Sequence, residues 1–165
     1  MSIYDTALQK LREQNPHAKA IDIGCGTGPK RPAPGYDRYC DVIPVRQGVQ
    51  YPIPYTCCQM ESMPFEDKEF DFARCHHVIE HTNDPDKACS ELIRIAKAGI
   101  LSFPPAQAEI MFGRRDHNWF VFVDHGRLLF IKKRYPSYGV PRAVTGCELN
   151  RDFVWSGSFK WLTVE

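Results

Sequence analysis

The sequence has almost no net charge, +1 over 165 residues. A balance that small gives no overall attraction to nucleic acid or to an anionic membrane surface. No apolar run approaches the roughly 20 residues that cross a bilayer as a helix. No leader with a charged start and an apolar centre precedes the first helical pattern, so the protein is expected to stay in the cytoplasm. Seven cysteines are present, an odd number, and no two are spaced C-x-x-C. That argues against a zinc ribbon or a disulfide framework and for reduced thiols. The G-x-G-x-x-G fingerprint of dinucleotide sites is also missing.

What is there is ordinary for a globular chain: 43% hydrophobic and 25% charged residues, enough to build a core at this length. The charge is unevenly placed. Residues 1–110 carry 12 Lys+Arg against 15 Asp+Glu, and residues 111–165 carry 9 against 5. The basic end suits an anionic partner or is a solvated face, and the second reading is the simpler one.

The densest local signal is Ala20-Ile21-Asp22-Ile23-Gly24-Cys25-Gly26-Thr27-Gly28. A strand-like run ends in an acid and breaks into a loop whose alternate glycines let a ligand approach backbone N–H groups. Before it, apolar spacing from Ile3 to Leu11 predicts a helix over 2–14, ended at Asn15-Pro16. After it, seven prolines between positions 29 and 64 deny the chain a long helix. Further strands are expected at 18–23, 36–40, 55–58, 70–75 and 100–103. Asp84-Pro85 starts a helix that Gly99 is expected to stop. Residues 119–131 read as a β-hairpin around Asp124-His125-Gly126, and 135–165 as a Pro/Gly-rich tail with aromatic edge strands. The whole is read as one domain: an N-terminal helix (1–17), a core sheet (18–133) and the tail (134–165).

Four pieces stand in order: the glycine loop, Met63-Pro64-Phe65 with Phe70-Asp71, Val78-Ile79-Glu80-His81, and Glu91-Leu92-Ile93-Arg94 leading to Ile100-Leu101-Ser102-Phe103-Pro104. Together they resemble the class I S-adenosylmethionine-dependent methyltransferases with a D-x-G-C-G-x-G loop, over roughly residues 18 to 104. The resemblance implies an α/β fold: a doubly wound, Rossmann-like, mostly parallel sheet with a C-terminal antiparallel hairpin, trimmed after strand one. It implies S-adenosyl-L-methionine as cofactor, bound by Gly24, Cys25, Gly26 and Gly28. Asp22 would meet the methionine ammonium, Asp41 the ribose hydroxyls, and Val42 with Ile43 the adenine face. Gln59 stands where the family usually has Asp; its oxygen and the Met60 N–H would serve the adenine edge, and the Cys75 carbonyl the ammonium.

The segment Cys75-His76-His77-Val78-Ile79-Glu80-His81 carries the remaining chemistry. His77-x-x-Glu80-His81 matches the H-x-x-E-H of inverted zinc metalloproteases, with its histidines on one face of a helix turn. That reading needs a third ligand and a long cleft, and it sits in the wrong register. The segment also resembles the metal-holding E-x-x-E-H element of the ubiquinone-pathway O-methyltransferases and the small-RNA 2′-O-methyltransferases, with His77 in place of the first Glu. The RNA-modifying family adds a D-H-x-aromatic segment, here Asp116-His117-Asn118-Trp119. A set of His77, Glu80, His81 and His117 would suit Zn, Mn or Fe better than Mg. The sequence favours the plainer reading, in which Glu80-His81 steadies a loop without metal.

His76, His77 and His117 are the candidate general bases for methyl transfer to an oxygen or nitrogen. The acceptor is expected to be a small molecule, a saccharide or a nucleic-acid end; no N-P-P-Y-type stretch points to adenine or glutamine. Two rivals remain. One is a non-catalytic binder of the same cofactor; the other is an NAD oxidoreductase, disfavoured because Asp41 follows the loop too soon.

Overall fold

Alternation of apolar side chains decides which face of each strand meets which helix. The computed structural model describes residues 2–26, 34–44, 54–134 and 150–165. Among these, the strands are β1 (Ala20–Ile23), β2 (Arg38–Asp41), β3 (Tyr55–Cys57), β4 (Phe72–His76), β5 (Ala98–Phe103), β6 (Trp119–Asp124), β7 (Arg127–Lys132), β8 (Arg151–Ser156) and β9 (Trp161–Val164). The helices are α1 (Ile3–Gln14), α2 (Pro85–Ile95) and α3 (Ala106–Phe112), with a 3-10 turn at Ile79–His81. The main sheet runs β3-β2-β1-β4-β5-β8, parallel except for β8.

Ala20, Phe72 and Ile100 point to the face covered by Tyr4 and Leu8 of α1. Ile21, Ala73, Leu101 and Phe103 point to the other face, where α2 lies. The sheet is therefore wound on both sides. Ala88, Cys89, Leu92 and Ile95 of α2 are fully buried; Leu92 and Ile95 each contribute about 1.5–3 kcal/mol by leaving water. Both helices start where their side chains say. Ser2 and Asp5 form a reciprocal capping box on α1, and Asp84 accepts from the Lys87 N–H at 3.1 Å with Pro85 in the first turn of α2.

Two expectations are corrected. The 119–131 hairpin forms as β6 and β7, but not as the last strands of the main sheet. It builds a second sheet, β6-β7-β9, that lays Trp119, Val121, Leu128 and Phe130 on the α2-side core. The edge of β5 is already taken by β8, paired antiparallel from Ala98↔Ser156 to Phe103↔Arg151. Gly99 likewise is no helix stop. Helix α2 ends at Ile95, and Gly99 sits inside β5, where a Cβ would lie 2.4 Å from the Ala73 carbonyl oxygen and 2.9 Å from Trp155 Nε1. Its role is close approach within the sheet. The proline-rich crossing 29–33 lies outside the described residues.

Candidate functional site

A cavity of about 530 Å³ opens above the carboxyl ends of β1 to β4, lined by Ile23, Gly24, Gly26, the 40–43 turn, the 58–61 turn, His77, Val78, His81 and Asp116. In an open α/β sheet this is where ligands bind. Its floor is a backbone knot. The Gly24 and Cys25 N–H groups donate to the Cys40 carbonyl at 2.8 and 3.2 Å. The Gly26 N–H donates to Asp41 Oδ2 at 2.8 Å, and the Ile43 N–H to Asp41 Oδ1 at 3.2 Å. Asp41 thus ties the glycine loop to the turn after β2. Gly24 adopts φ +69°, and a Cβ there would fall 1.9 Å from Val78 Cγ2, so both the turn and the close approach require glycine.

The other walls follow from the strand ends. Val42 is 61% exposed over the cavity, with Ile43, Cys58, Gln59 and Met60 beside it. The Cys58 thiol is held below its ordinary value by a hydrogen bond with Cys40. Glu61 accepts from Thr82 Oγ1 at 2.5 Å and from the Asn83 N–H at 2.7 Å, joining the 58–61 wall to the segment after the 3-10 turn. Helix α2 fixes the same wall from behind: Arg94 donates to the Met63 and Phe65 carbonyls at 2.8 and 2.6 Å, and Glu91 accepts from the Met63 N–H at 2.8 Å.

The remaining sequence candidates scatter. Asp22 is fully buried on the α1 side and does not line the cavity; its Oδ1 pairs with Arg74 Nη1 at 2.5 Å. Arg74 in turn lies 4.7 Å over the Tyr4 ring. His76 lies on that side too, its Nδ1 3.3 Å from the Tyr4 hydroxyl. The Cys25 thiol is pushed up to about 12 by burial, with the Asp22 and Asp41 carboxylates adding to it. Cys75 is buried in mid-sheet between Ile23 and Leu101. Gly28 lies outside the described residues.

His77-Val78-Ile79-Glu80-His81 does not form the helix turn expected of an H-x-x-E-H site. His77 sits before the 3-10 turn with φ +56°, its N–H donating to the Ser102 carbonyl at 2.8 Å. Its Nδ1 lies 3.0 Å from Glu80 Oε1 and its Nε2 2.7 Å from Asn150 Oδ1. The ligand atoms gathered within 4.8 Å of one another belong to Glu80, His81 and His117, and His77 stands outside that triplet. His117 is 4% exposed; its Nδ1 meets Glu109 Oε2 at 2.7 Å and its Nε2 faces Glu80 Oε1 at 4.0 Å. Of the three candidate bases, only His77 lines the cavity.

Sequence reasoning missed Arg74, Glu61, Glu109 and Asn150. Arg74 and Glu61 adjoin the candidates Cys75 and Met60, but the partners that give them a role, Asp22 and Thr82, lie 52 and 21 residues away, and Asn150 lies 73 residues from His77. Asp116 was legible, since it adjoins His117.

A family profile described as a methyltransferase domain matches residues 21–103. The chain is 33% identical over 79 residues to a ubiquinone/menaquinone biosynthesis C-methyltransferase of Xylella fastidiosa, covering 46% of this chain and 29% of that one. It is 29% identical over 94 residues to ajmaline N-methyltransferase of Rauvolfia serpentina, covering 48% and 32%. An uncharacterized protein of Methanocaldococcus jannaschii is 29% identical over 103 residues, covering 59% and 48%. The chain thus spans about half or less of these relatives' length. A solved S-adenosylmethionine-dependent methyltransferase of Methanosarcina mazei overlaps 76% of this chain and 74% of its own at 16% identity, with a TM-score of 0.47.

Proposed function

The chain belongs to the methyltransferase-domain family, matched over half its length, and from that premise we propose that it binds S-adenosylmethionine in the 530 Å³ cavity and directs methyl transfer to an acceptor oxygen or nitrogen. The observation that carries this is the agreement of place. The family match and the cavity share the glycine loop, the acid that ends β2 and the turn after β3. When bound, S-adenosylmethionine supplies a methyl group already activated by a sulfonium, so the protein's part is positioning and proton removal.

Asp41 holds one backbone N–H on each oxygen and keeps lone pairs for a ribose diol. Val42 and Ile43 offer an apolar face to adenine, with Gln59 and Met60 at its edge. Asp22, turned to the α1 side, is neutralised by its ion pair with Arg74 and makes no contact with the cofactor in this reading. His77 is the base in this reading. Both its ring nitrogens now meet oxygens, and it becomes a proton acceptor when the Asn150 amide withdraws or an acceptor hydroxyl replaces it. Small metabolites, saccharides and nucleic-acid ends all offer such a hydroxyl.

Titration calorimetry tests the reading. S-adenosylhomocysteine is expected to bind at one site per chain and NAD not at all. NAD binding without S-adenosylhomocysteine binding would overturn it.

A further inference from the structure

We infer that Glu80 is a positioning residue: its buried carboxylate keeps the His77 proton on Nδ1 and so leaves Nε2 as the nitrogen that takes a proton from the methyl acceptor. The inference rests on the reading of His77 as the base, and three features of the structure support it.

The first is where the Glu80 side chain is spent. The loop after β4 is already held without it: the His81 N–H donates to the Val78 carbonyl at 2.9 Å, the Asn118 N–H to the Glu80 carbonyl at 2.8 Å, and Ile79 is fully buried. The carboxylate is 1% exposed, and among the described residues its hydrogen bond goes to His77 Nδ1, 3.0 Å from Oε1, while Oε2 has no partner. A glutamate kept only to steady a loop would bond on both oxygens. A buried polar atom left unsatisfied calls for another reason, and serving one imidazole nitrogen is such a reason.

The second is the backbone of His77. Its φ of +56° is uncommon for any residue but glycine, and such strain persists where the surroundings enforce it, often at functional positions. Here the N–H donates to the Ser102 carbonyl at 2.8 Å, and the His76 ring packs edge-on with centroids 4.5 Å apart. The ring is thereby aimed at the cavity with Nδ1 turned inward to Glu80. Glu80 is flanked in turn by His117 Nε2, 4.0 Å from the same Oε1, and the His117 ring is fixed from behind by Glu109 at 2.7 Å.

The third is the difference between the two neighbours of the ring. A carboxylate only accepts, so Nδ1 must carry the proton that meets Glu80. Asn150, 2.7 Å from Nε2, is an amide that can present either its oxygen or its NH2 group, so it adapts to the ring and does not dictate the tautomer. A base oriented through one nitrogen by a third group, with the other nitrogen left to meet the reacting hydroxyl, is the arrangement that proton removal requires. Without Glu80 the Asn150 oxygen would draw the proton to Nε2, and the nitrogen facing the acceptor would be the wrong one.

The test reads the ring directly and needs no acceptor. The full chain, untagged and labelled with ¹⁵N at its six histidines, is examined by long-range proton–nitrogen correlation at about two pH units above the ordinary histidine value. The His77 signals are assigned by their loss in His77→Gln. In the wild-type chain Nδ1 should carry the proton and Nε2 should be bare. Glu80→Ala should move the proton to Nε2, and Glu80→Gln should give a mixture of the two forms. Asn150→Ala, at an exposed position, should leave it on Nδ1. A wild-type ring protonated on Nε2, or on both nitrogens, would overturn the inference, and this holds even where a variant at buried Glu80 fails to fold. So would a tautomer that changes in Asn150→Ala and stays the same in a folded Glu80 variant. Calorimetry with S-adenosylhomocysteine on the same wild-type sample reports separately on the cofactor reading, so failure of one is distinguished from failure of the other.

Discussion

Gly24 shows how much one residue decides at this site. Its φ of +69° costs an L side chain about 1–2 kcal/mol, and the contact with Val78 adds the overpacking cost of about 1–3 kcal/mol. Gly24→Ala should therefore destabilise by a few kcal/mol in urea unfolding. Adding Val78→Ala should recover the steric share and leave the backbone share, so a double-mutant cycle should show favourable coupling between the two changes. Full additivity would mean that the close approach is not what glycine serves. Asp41 decides affinity instead. Asp41→Ala removes charge-assisted acceptors and should weaken S-adenosylhomocysteine binding by about 1–3 kcal/mol in calorimetry. Unchanged affinity would assign Asp41 to the loop knot alone.

Among elements, α2 does more than fill the core. Its Glu91 and Arg94 hold the backbone of the 63–65 segment, which explains why those two pieces of sequence occur together. The hydrogen bonds from Arg94 lead in holding the Glu91 carboxyl below 4.5, with the Met63 N–H helping against burial. A depressed folded value means that this stability is present above the ordinary glutamate value and is lost as pH falls through the folded one. Glu91→Gln should thus cost about 1–3 kcal/mol at neutral pH, and the gap between variant and wild type should narrow as pH drops below 4.5. A gap that stays constant on acidification in pH-dependent unfolding would show that Glu91 acts by packing and not by charge.

On the scale of the molecule, residues 150–165 join the two sheets. Strand β8 completes the main sheet and β9 the smaller one. Phe153, Trp155 and Phe159 between them reach the α2-side core. Burying three such rings is worth more than about 5 kcal/mol, comparable to the whole stability of a domain. A chain ended after Arg134 should lose cooperative thermal unfolding and its near-ultraviolet dichroism. Retention of both would make the tail an accessory.

Local features were legible in the chain alone: the helix of α1, the capping of α2, the strand and glycine turn of β1, the acid at the end of β2, and the hairpin at 119–131. Each is set by side chains within a few residues of one another, through spacing and turn chemistry that any reader of the chain can follow. The tertiary structure decided everything that depends on which distant segments meet. The edge of β5 could accept only one neighbour, and β8 took it, which sent the hairpin to a sheet of its own. Pleat direction turned Asp22 and His76 to the α1 side, while the end of β4 delivered His77 to the cavity. The convergence of His117 on Glu80 and His81, with Glu109 behind it, spans three separate segments. Spacing along the chain carries no measure of such distances, because the loop paths between those segments set them.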